Sequence, residues 1–288
     1  MWILYAAASA VFAGTTTIFL KKGVHTTNTD IAVAVRTFVV LIFSIIIVFI
    51  AGSQNQIFSI DTKTWIFLTL SGLSTGAGWL FYYKALQTGN VNKVSPLSKA
   101  GLVLTITLSF IFLGEEVTFQ KLTALILIAV GTYLMVDYKN EKTEKNKSNK
   151  WIIYALLSLV FSSLTTIFGK VGIDNVDSNL GSAIRTCVVI IAALIIIIVK
   201  NEVSEFKNIN KSEIKYIIIS GITGGSSWLL YYKALQTGIT SAVAAIDKLS
   251  ILVAVILSHF IFNEKMNNKT VFGLILILAG TIGLAVKT

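Results

Sequence analysis

Residues 79–89 read Trp-Leu-Phe-Tyr-Tyr-Lys-Ala-Leu-Gln-Thr-Gly, and residues 228–238 read Trp-Leu-Leu-Tyr-Tyr-Lys-Ala-Leu-Gln-Thr-Gly. The two runs differ only at Phe81 and Leu230. The offset of 149 residues (79 to 228) extends outward in both directions without a gap. Thr16-Thr17-Ile18-Phe19 pairs with Thr165-Thr166-Ile167-Phe168, and Arg36-Thr37 with Arg185-Thr186. Lys99 pairs with Lys248, Glu115 with Glu264, and Gly131-Thr132 with Gly280-Thr281. A match that persists through irregular segments marks a duplicated and fused unit. The chain divides accordingly into a first repeat over 1–137, a polar Lys/Asn/Glu linker over 138–150 and a second repeat over 151–288.

Composition decides the solvent in which these repeats fold. Of 288 residues 55% are hydrophobic and 13% charged, and the mean hydropathy is +0.79. A soluble domain carries about 25% charged residues, so half that supply cannot cover a water-facing surface. Each repeat holds five apolar runs, near 2–20, 31–51, 65–86, 94–113 and 119–137, then 151–169, 179–199, 216–235, 242–262 and 270–286. All are long enough to cross a bilayer as helices, at about 20 residues per span. The period-two alternation of a membrane barrel is absent. The expected fold is therefore all-α: a polytopic, multi-pass protein of the cell membrane with ten transmembrane helices. Pro96, the one proline, stands near the start of the fourth run and is read as opening that helix. Met1-Trp2 lacks a basic leader region, so no cleaved signal is expected. Cys187 is alone and cannot form an internal disulfide.

Five spans per repeat is an odd number, so the second copy enters the membrane from the opposite side. Two inverted five-helix repeats follow, the arrangement of many transporters. The net charge of +10 agrees with this. Fourteen loop lysines, Lys21, Lys22, Lys93 and all of those in 139–150, 200–215 and 265–269, fall on one side. Lys63, Lys121, Lys170 and Lys287 fall on the other. Lysine in short loops marks the cytoplasmic side and meets anionic headgroups; both termini are thus expected outside and no nucleic-acid partner is expected. Equivalent loops have exchanged charge: 52–64 holds one lysine, 200–215 holds four.

The aromatic run at 79–86, the polar Pro96-Leu97-Ser98-Lys99 segment and Phe112-Leu113-Gly114-Glu115-Glu116 together resemble EamA-type transporters of the drug/metabolite transporter superfamily. The second repeat carries the same pattern, so the resemblance covers nearly the whole chain. It implies a basket of helices around a central cavity, with small metabolites or amphiphilic compounds as substrates. Better-known ten-helix members place both termini in the cytoplasm, a departure from the lysine count here.

Candidate site residues follow from aromatic faces and in-span charge. Gly72, Gly76, Trp79 and Tyr83 share a helical face, as do Gly221, Gly225, Trp228 and Tyr232. The glycines are read as helix-packing positions. Trp79 and Trp228 fit either packing or an aromatic cavity wall. Trp79, Tyr82, Tyr83, Ser98 and Lys99 in the first repeat, and Trp228, Tyr231, Tyr232, Asp247 and Lys248 in the second, form the expected substrate-binding set. Charges within a span are costly and face a cavity or a partner. Asp247 has no acidic counterpart, because Ser98 stands there in the first repeat. It fits either a proton or cation site, or an internal ion pair with Lys248, Lys99 or Arg185. Arg36, Arg185, Lys84 and Lys233 are expected to snorkel to headgroups. Glu115 and Glu264 are expected in solvated turns, His25 in a loop, and His259 as a packed polar residue.

Several chemistries are excluded. Gly72-Leu73-Ser74-Thr75-Gly76 matches a nucleophile elbow only in letters, since it lies inside an apolar helix and its copy lacks the serine. No metal-ligand spacing and no phosphate-binding loop is present, so no metal, cofactor or ATP chemistry is expected. The expected function is secondary transport of a small-molecule substrate, with protons among the candidate coupling ions and the single chain, a pseudo-dimer, as the working monomer. A lipid-carrier flippase and an intramembrane enzyme are the alternatives.

Overall fold

The computed structural model describes residues 1–23, 26–88, 101–134, 150–262 and 268–285. In the first repeat these form α1 (Trp2–Gly23), α2 (Thr29–Ile50), α3 (Thr62–Thr88), α4 (Gly101–Phe112) and α5 (Phe119–Leu134). The second repeat supplies α6 (Lys150–Gly172), α7 (Ser178–Val199), α8 (Lys211–Thr237), α9 (Thr240–Asp247), α10 (Ser250–Phe262) and α11 (Asn268–Ala285). No strand occurs among the described residues. Helix bounds follow the repeat: α2 and α7 coincide at an offset of 149, as do α3 and α8, and so do the 3-10 turns Gln54–Ser59 and Val203–Asn208. The chemistry at helix ends is repeated too. Asn28 accepts from Asp30 N–H at the start of α2, and Asp177 accepts from Asn179 N–H at the start of α7, each satisfying an orphan donor of the first turn. Gly52 (φ 68°) and Asn201 (φ 57°) sit at equivalent positions past the ends of α2 and α7. Glycine and asparagine are the residues that most readily adopt this left-handed closure.

Large apolar side chains cover the outside of the spans. Phe38, Phe49 and Ile50 on α2, and Ile191, Ile195 and Ile198 on α7, are all exposed. Such a surface is untenable in water and suits hydrocarbon, where helices satisfy their own backbone groups. Five described helices or helix pairs are long and apolar enough to cross a membrane, including α1, α2, α6, α7 and the α9–α10 stretch Thr240–Ile261.

The helices gather into two compact units that cut across the repeats. The first comprises Met1–Leu73, Phe168–Gly238 and Ile246–Glu264. Its most extensive pairing is α1 on α8, where Ser9 Oγ donates to Ser227 O (2.9 Å) and Ser227 Oγ to Ser9 O (3.0 Å). Its glycine contacts are reciprocal. A Cβ on Gly72 would lie 2.6 Å from Val188, and a Cβ on Gly221 would lie 2.6 Å from Val39, the repeat-equivalent pair. Gly23 against Ile217 and Gly172 against Leu68 repeat the exchange. When i meets j′ and i′ meets j, the contributing segments are related by a two-fold.

The second unit comprises Ser74–Ile167, Ile239–Ala245 and Lys265–Thr288. α5 packs on α11 through Gly131 against the Gly273 carbonyl and Gly280 against the Ala124 carbonyl, again an equivalent pair. Leu102, Ile106, Ala124, Ile128, Ala244, Ala245 and Leu284 form its core. In both units small residues let backbones approach, the usual means by which membrane helices associate.

Candidate functional site

The fourth apolar run of the second repeat is read from sequence as one helix over 242–262, and here the structure differs. α9 ends at Asp247, Lys248 and Leu249 form a turn, and α10 begins at Ser250. Leu249 N–H bonds to Ile246 O (2.9 Å), an i to i−3 closure, and Ile251 N–H bonds to Lys248 O (3.0 Å). Thr281 Oγ1, from α11, donates to Ala245 O (3.4 Å) just before the interruption. The interruption is therefore Lys248–Leu249, with Asp247 as the last residue of α9. It lies eight residues, about 12 Å of helix rise, into the 22-residue stretch Thr240–Ile261. Both side chains are half-buried.

The N-terminus of α9 is held by a residue that sequence places in a solvated turn. The Glu115 carboxylate accepts from Ser241 N–H (3.2 and 3.3 Å) and from Ser109 Oγ (3.1 Å). This corrects the solvated-turn expectation: the carboxylate caps a helix of the other repeat, where a negative charge is favoured. Recurrence of the glutamate at the end of the fourth run, Glu115 and Glu264, was the available signal, but nothing in it names a partner 126 positions away.

The aromatic face of α8 is built around a cation. Arg185, on α7, is 2% exposed, and its guanidinium lies 3.8 Å from the Trp228 ring centroid and 5.7 Å from that of Tyr232. Arg185 does not snorkel; it stacks. Trp228 meets Tyr231 edge-on (5.7 Å, 89°) and Tyr232 at 6.1 Å and 66°. Tyr231 and Tyr232 are buried, and Tyr232 Oη is 3.3 Å from Ser71 Oγ. Trp228 alone of the three remains half-buried. Lys170 closes the C-terminal end of α8, its Nζ donating to the carbonyls of Leu235 and Gly238 (3.2 Å to the latter), where a cation suits the helix dipole.

Trp79 and Tyr82 are half-buried, and Tyr82 packs with Trp151 and Tyr154 around Ala85 and Ala155. Lys84 is exposed, 5.9 Å from the Tyr154 ring. The side chain of Tyr83 and residues Ser98, Lys99, His25 and Glu264 lie outside the described residues. His259 meets the Phe260 ring edge-on at 5.5 Å. No group of three potential metal ligands occurs among the described residues.

The pattern of the EamA-like transporter family matches residues 1–137 and again 149–286. This chain belongs to the EamA-like transporter family. Among similar proteins, an uncharacterized transporter of Sinorhizobium sp is 39% identical over 137 residues, 48% of this chain and 97% of that protein. An uncharacterized protein of Methanocaldococcus jannaschii is 31% identical over 133 residues, 46% of this chain and 94% of that one. Both relatives are thus about as long as one repeat. The S-adenosylmethionine uptake transporter of Rickettsia bellii is 24% identical over 213 residues, 74% of this chain and 70% of that protein. A solved crystal structure shares the fold, with a TM-score of 0.81 at 12% identity, covering 99% of this chain and 96% of that one. The EamA-like chain is a multi-pass membrane protein, and the interrupted span, its cap and the Arg185 stack are built within that fold.

Proposed function

We propose that this EamA-like protein is a secondary transporter of the cell membrane, carrying a small metabolite or amphiphilic compound by alternating access between its inverted repeats. The observation that carries this reading is the interruption of the Thr240–Ile261 stretch at Lys248 and Leu249, directly after Asp247. Broken helices that place charge and helix ends at mid-membrane are the usual substrate and ion sites of such carriers. Trp228, Tyr231 and Tyr232 supply the polarizable wall, with Trp79, Tyr82, Tyr83, Ser98 and Lys99 as their counterparts in the first repeat. Asp247 holds the charge that a proton or a cationic group neutralises before the loaded carrier turns. A relative named as an uptake transporter of S-adenosylmethionine supports a small-molecule substrate. Energy comes from a gradient, and no bond is made or broken.

The test begins with a thermal-shift screen of purified protein against amino acids, nucleosides, amines and sugars, since a ligand stabilises the state it binds. With a substrate in hand, Asp247→Asn in proteoliposomes abolishes coupled transport while the protein still folds and inserts. Lys99→Met tests whether that lysine partners the aspartate. Transport by Asp247→Asn at the wild-type rate and pH dependence would make the aspartate structural and overturn the mechanism.

A further inference from the structure

We propose that Asp30, Lys200 and Glu202 form a pH latch at one end of the α2–α7 pair. A single proton held between the two carboxyl groups fastens the end of α7 to the start of α2, and its loss releases that joint. The latch goes beyond the transport reading and does not depend on it.

Lys200 is the C-cap of α7, and its ammonium is ion-paired with Asp30 in the first turn of α2. Asn201 follows in the left-handed region (φ 57°). Glu202 comes next, with its N–H on Ile197 O (3.0 Å) and its carboxyl within hydrogen-bond reach of Asp30. Glu202 Oε2 is buried and has no hydrogen-bond partner among the described residues. An ionised carboxylate only accepts, so the two groups meet acceptor to acceptor unless one of them is protonated. One proton removes the conflict. Glu202 then donates to Asp30, which also accepts from Lys200, and the three side chains carry no net charge. Without that proton two negative charges share one lysine, and a buried oxygen has neither water nor donor, a costly state.

The electrostatics agree. Burial pushes the Glu202 pKa up from its ordinary 4.5, and the hydrogen bond and negative charge of Asp30 push it the same way. The Lys200 charge and the Asn28 side chain pull it down without reversing the outcome. Asp30 and Asn28 act from the α2 side, and Lys200 from the turn that carries Glu202. The neighbouring carboxylates are engaged elsewhere: Glu205 with Asn208, and Glu213 of α8 with Thr26 and Thr27. A carboxyl that holds its proton better folded than unfolded stabilises fully at low pH, and that contribution drains away as pH rises through the folded value. Glu213, brought down to about 2, stays ionised throughout. Between pH 5 and 8 the 26–30 segment therefore remains fastened at Thr26 and Thr27 and is released only at Asp30. The latch is also one-sided. At the repeat offset of 149, Asp30, Lys200 and Glu202 correspond to Asn179, Ala51 and Ser53. None of these titrates, so the other end of the α2–α7 pair does not respond to pH.

The test is thermal unfolding and hydrogen exchange of the purified full-length protein in detergent from pH 5 to 8, wild type against Glu202→Gln. Glutamine keeps the shape, stays neutral and offers Asp30 a donor, so it reproduces the latched form at every pH. His25 and His259 titrate in the same window, but both proteins contain them and they cancel in the difference. From pH 5 to 8 wild type loses about 2 °C or more of melting temperature relative to Glu202→Gln. Over the same range the wild-type amides of Asn201 and Glu202, corrected for intrinsic rate, lose about threefold or more in protection while that of Thr27 holds. Asp30→Asn leaves Lys200 to pair with Glu202 and moves the step below pH 5, which decides the matter should Glu202→Gln fail to fold. A difference that stays flat from pH 5 to 8, a loss of protection shared equally by Thr27, or a step unmoved in Asp30→Asn overturns the latch. Unfolding in detergent needs neither substrate nor gradient, so a failure of the transport mechanism leaves this result standing.

Discussion

Glu213 offers a quantitative test of how the loops are held. It stands in the first turn of α8, before the apolar run that begins near residue 216, and is 6% exposed. Its carboxylate accepts from Thr26 N–H (3.0 and 3.3 Å), Thr26 Oγ1 (2.8 Å) and Thr27 N–H (2.9 Å). Burial pushes its pKa up, but the donors of Thr27 and Thr26 outweigh that and bring it from 4.5 to about 2. Glu213→Gln keeps one acceptor oxygen and turns an amide NH2 toward donors, leaving at least one backbone N–H facing another donor. Hydrogen bonds to a charged acceptor are worth roughly 1.5–3 kcal/mol each, and solvent screening at the rim argues for the low end. A loss of about 2 kcal/mol at pH 7 is expected, several degrees of melting temperature. Because the folded pKa is the lower one, this stabilisation is complete above pH 4.5 and disappears as pH falls through about 2. Thermal unfolding in detergent, followed by circular dichroism at pH 7, 4.5 and 3, reads both parts. The wild-type advantage is full at pH 7 and visibly smaller at pH 3. A variant as stable as wild type at pH 7, or a gap that does not narrow with acid, refutes the reasoning.

The remaining predictions concern the cap, the reciprocal contacts and the orientation. Glu115→Ala removes the acceptor for Ser241 N–H, so hydrogen exchange across residues 240–247 accelerates about tenfold or more with little change in α1 or α8; unchanged exchange there would remove the cap from the account. Gly221→Ala and Gly72→Ala each press a Cβ to 2.6 Å of a valine and cost about 1–3 kcal/mol. The atom met at 2.6 Å is the valine Cβ, so Val39→Gly relieves the first and Val188→Gly the second, and a double-mutant cycle without rescue would show that these are not the limiting contacts. A reporter fused after Thr288 is active only outside the cytoplasm if the loop lysines set orientation; cytoplasmic activity reverses the assignment and leaves the fold intact.

The repeat was legible because its equivalences ran through loops as well as spans, and the shared helix ends at Asn28 and Asp177 follow from it. The interruption at Lys248 was not, because residues 244–251 contain neither glycine nor proline. Pro96, the counterpart of Ala245, lies outside the described residues, and Ala245 itself is helical. Arg185 was misjudged because sequence gives depth from a helix end but not the face that the helix presents to its neighbour. α7 turns that residue inward onto Trp228. Glu115 was misjudged because its partner belongs to the other repeat, and span-by-span reading cannot supply contacts between copies.

The reciprocity of the glycine contacts bears on how such a chain can change. In a single unit that meets a second copy of itself across a two-fold, Gly72 and Gly221 are one gene position, and so are Val39 and Val188. Any substitution there strikes two contacts at once. Fusion separates them, so each later substitution strikes one contact and leaves its twin to hold the fold. Duplication thereby halves the structural penalty of innovation, most of all near the middle of the membrane, where an ionised side chain is least tolerated. Asp247, whose counterpart is Ser98, is an asymmetry of that kind: an acidic side chain present in one copy and absent from the other.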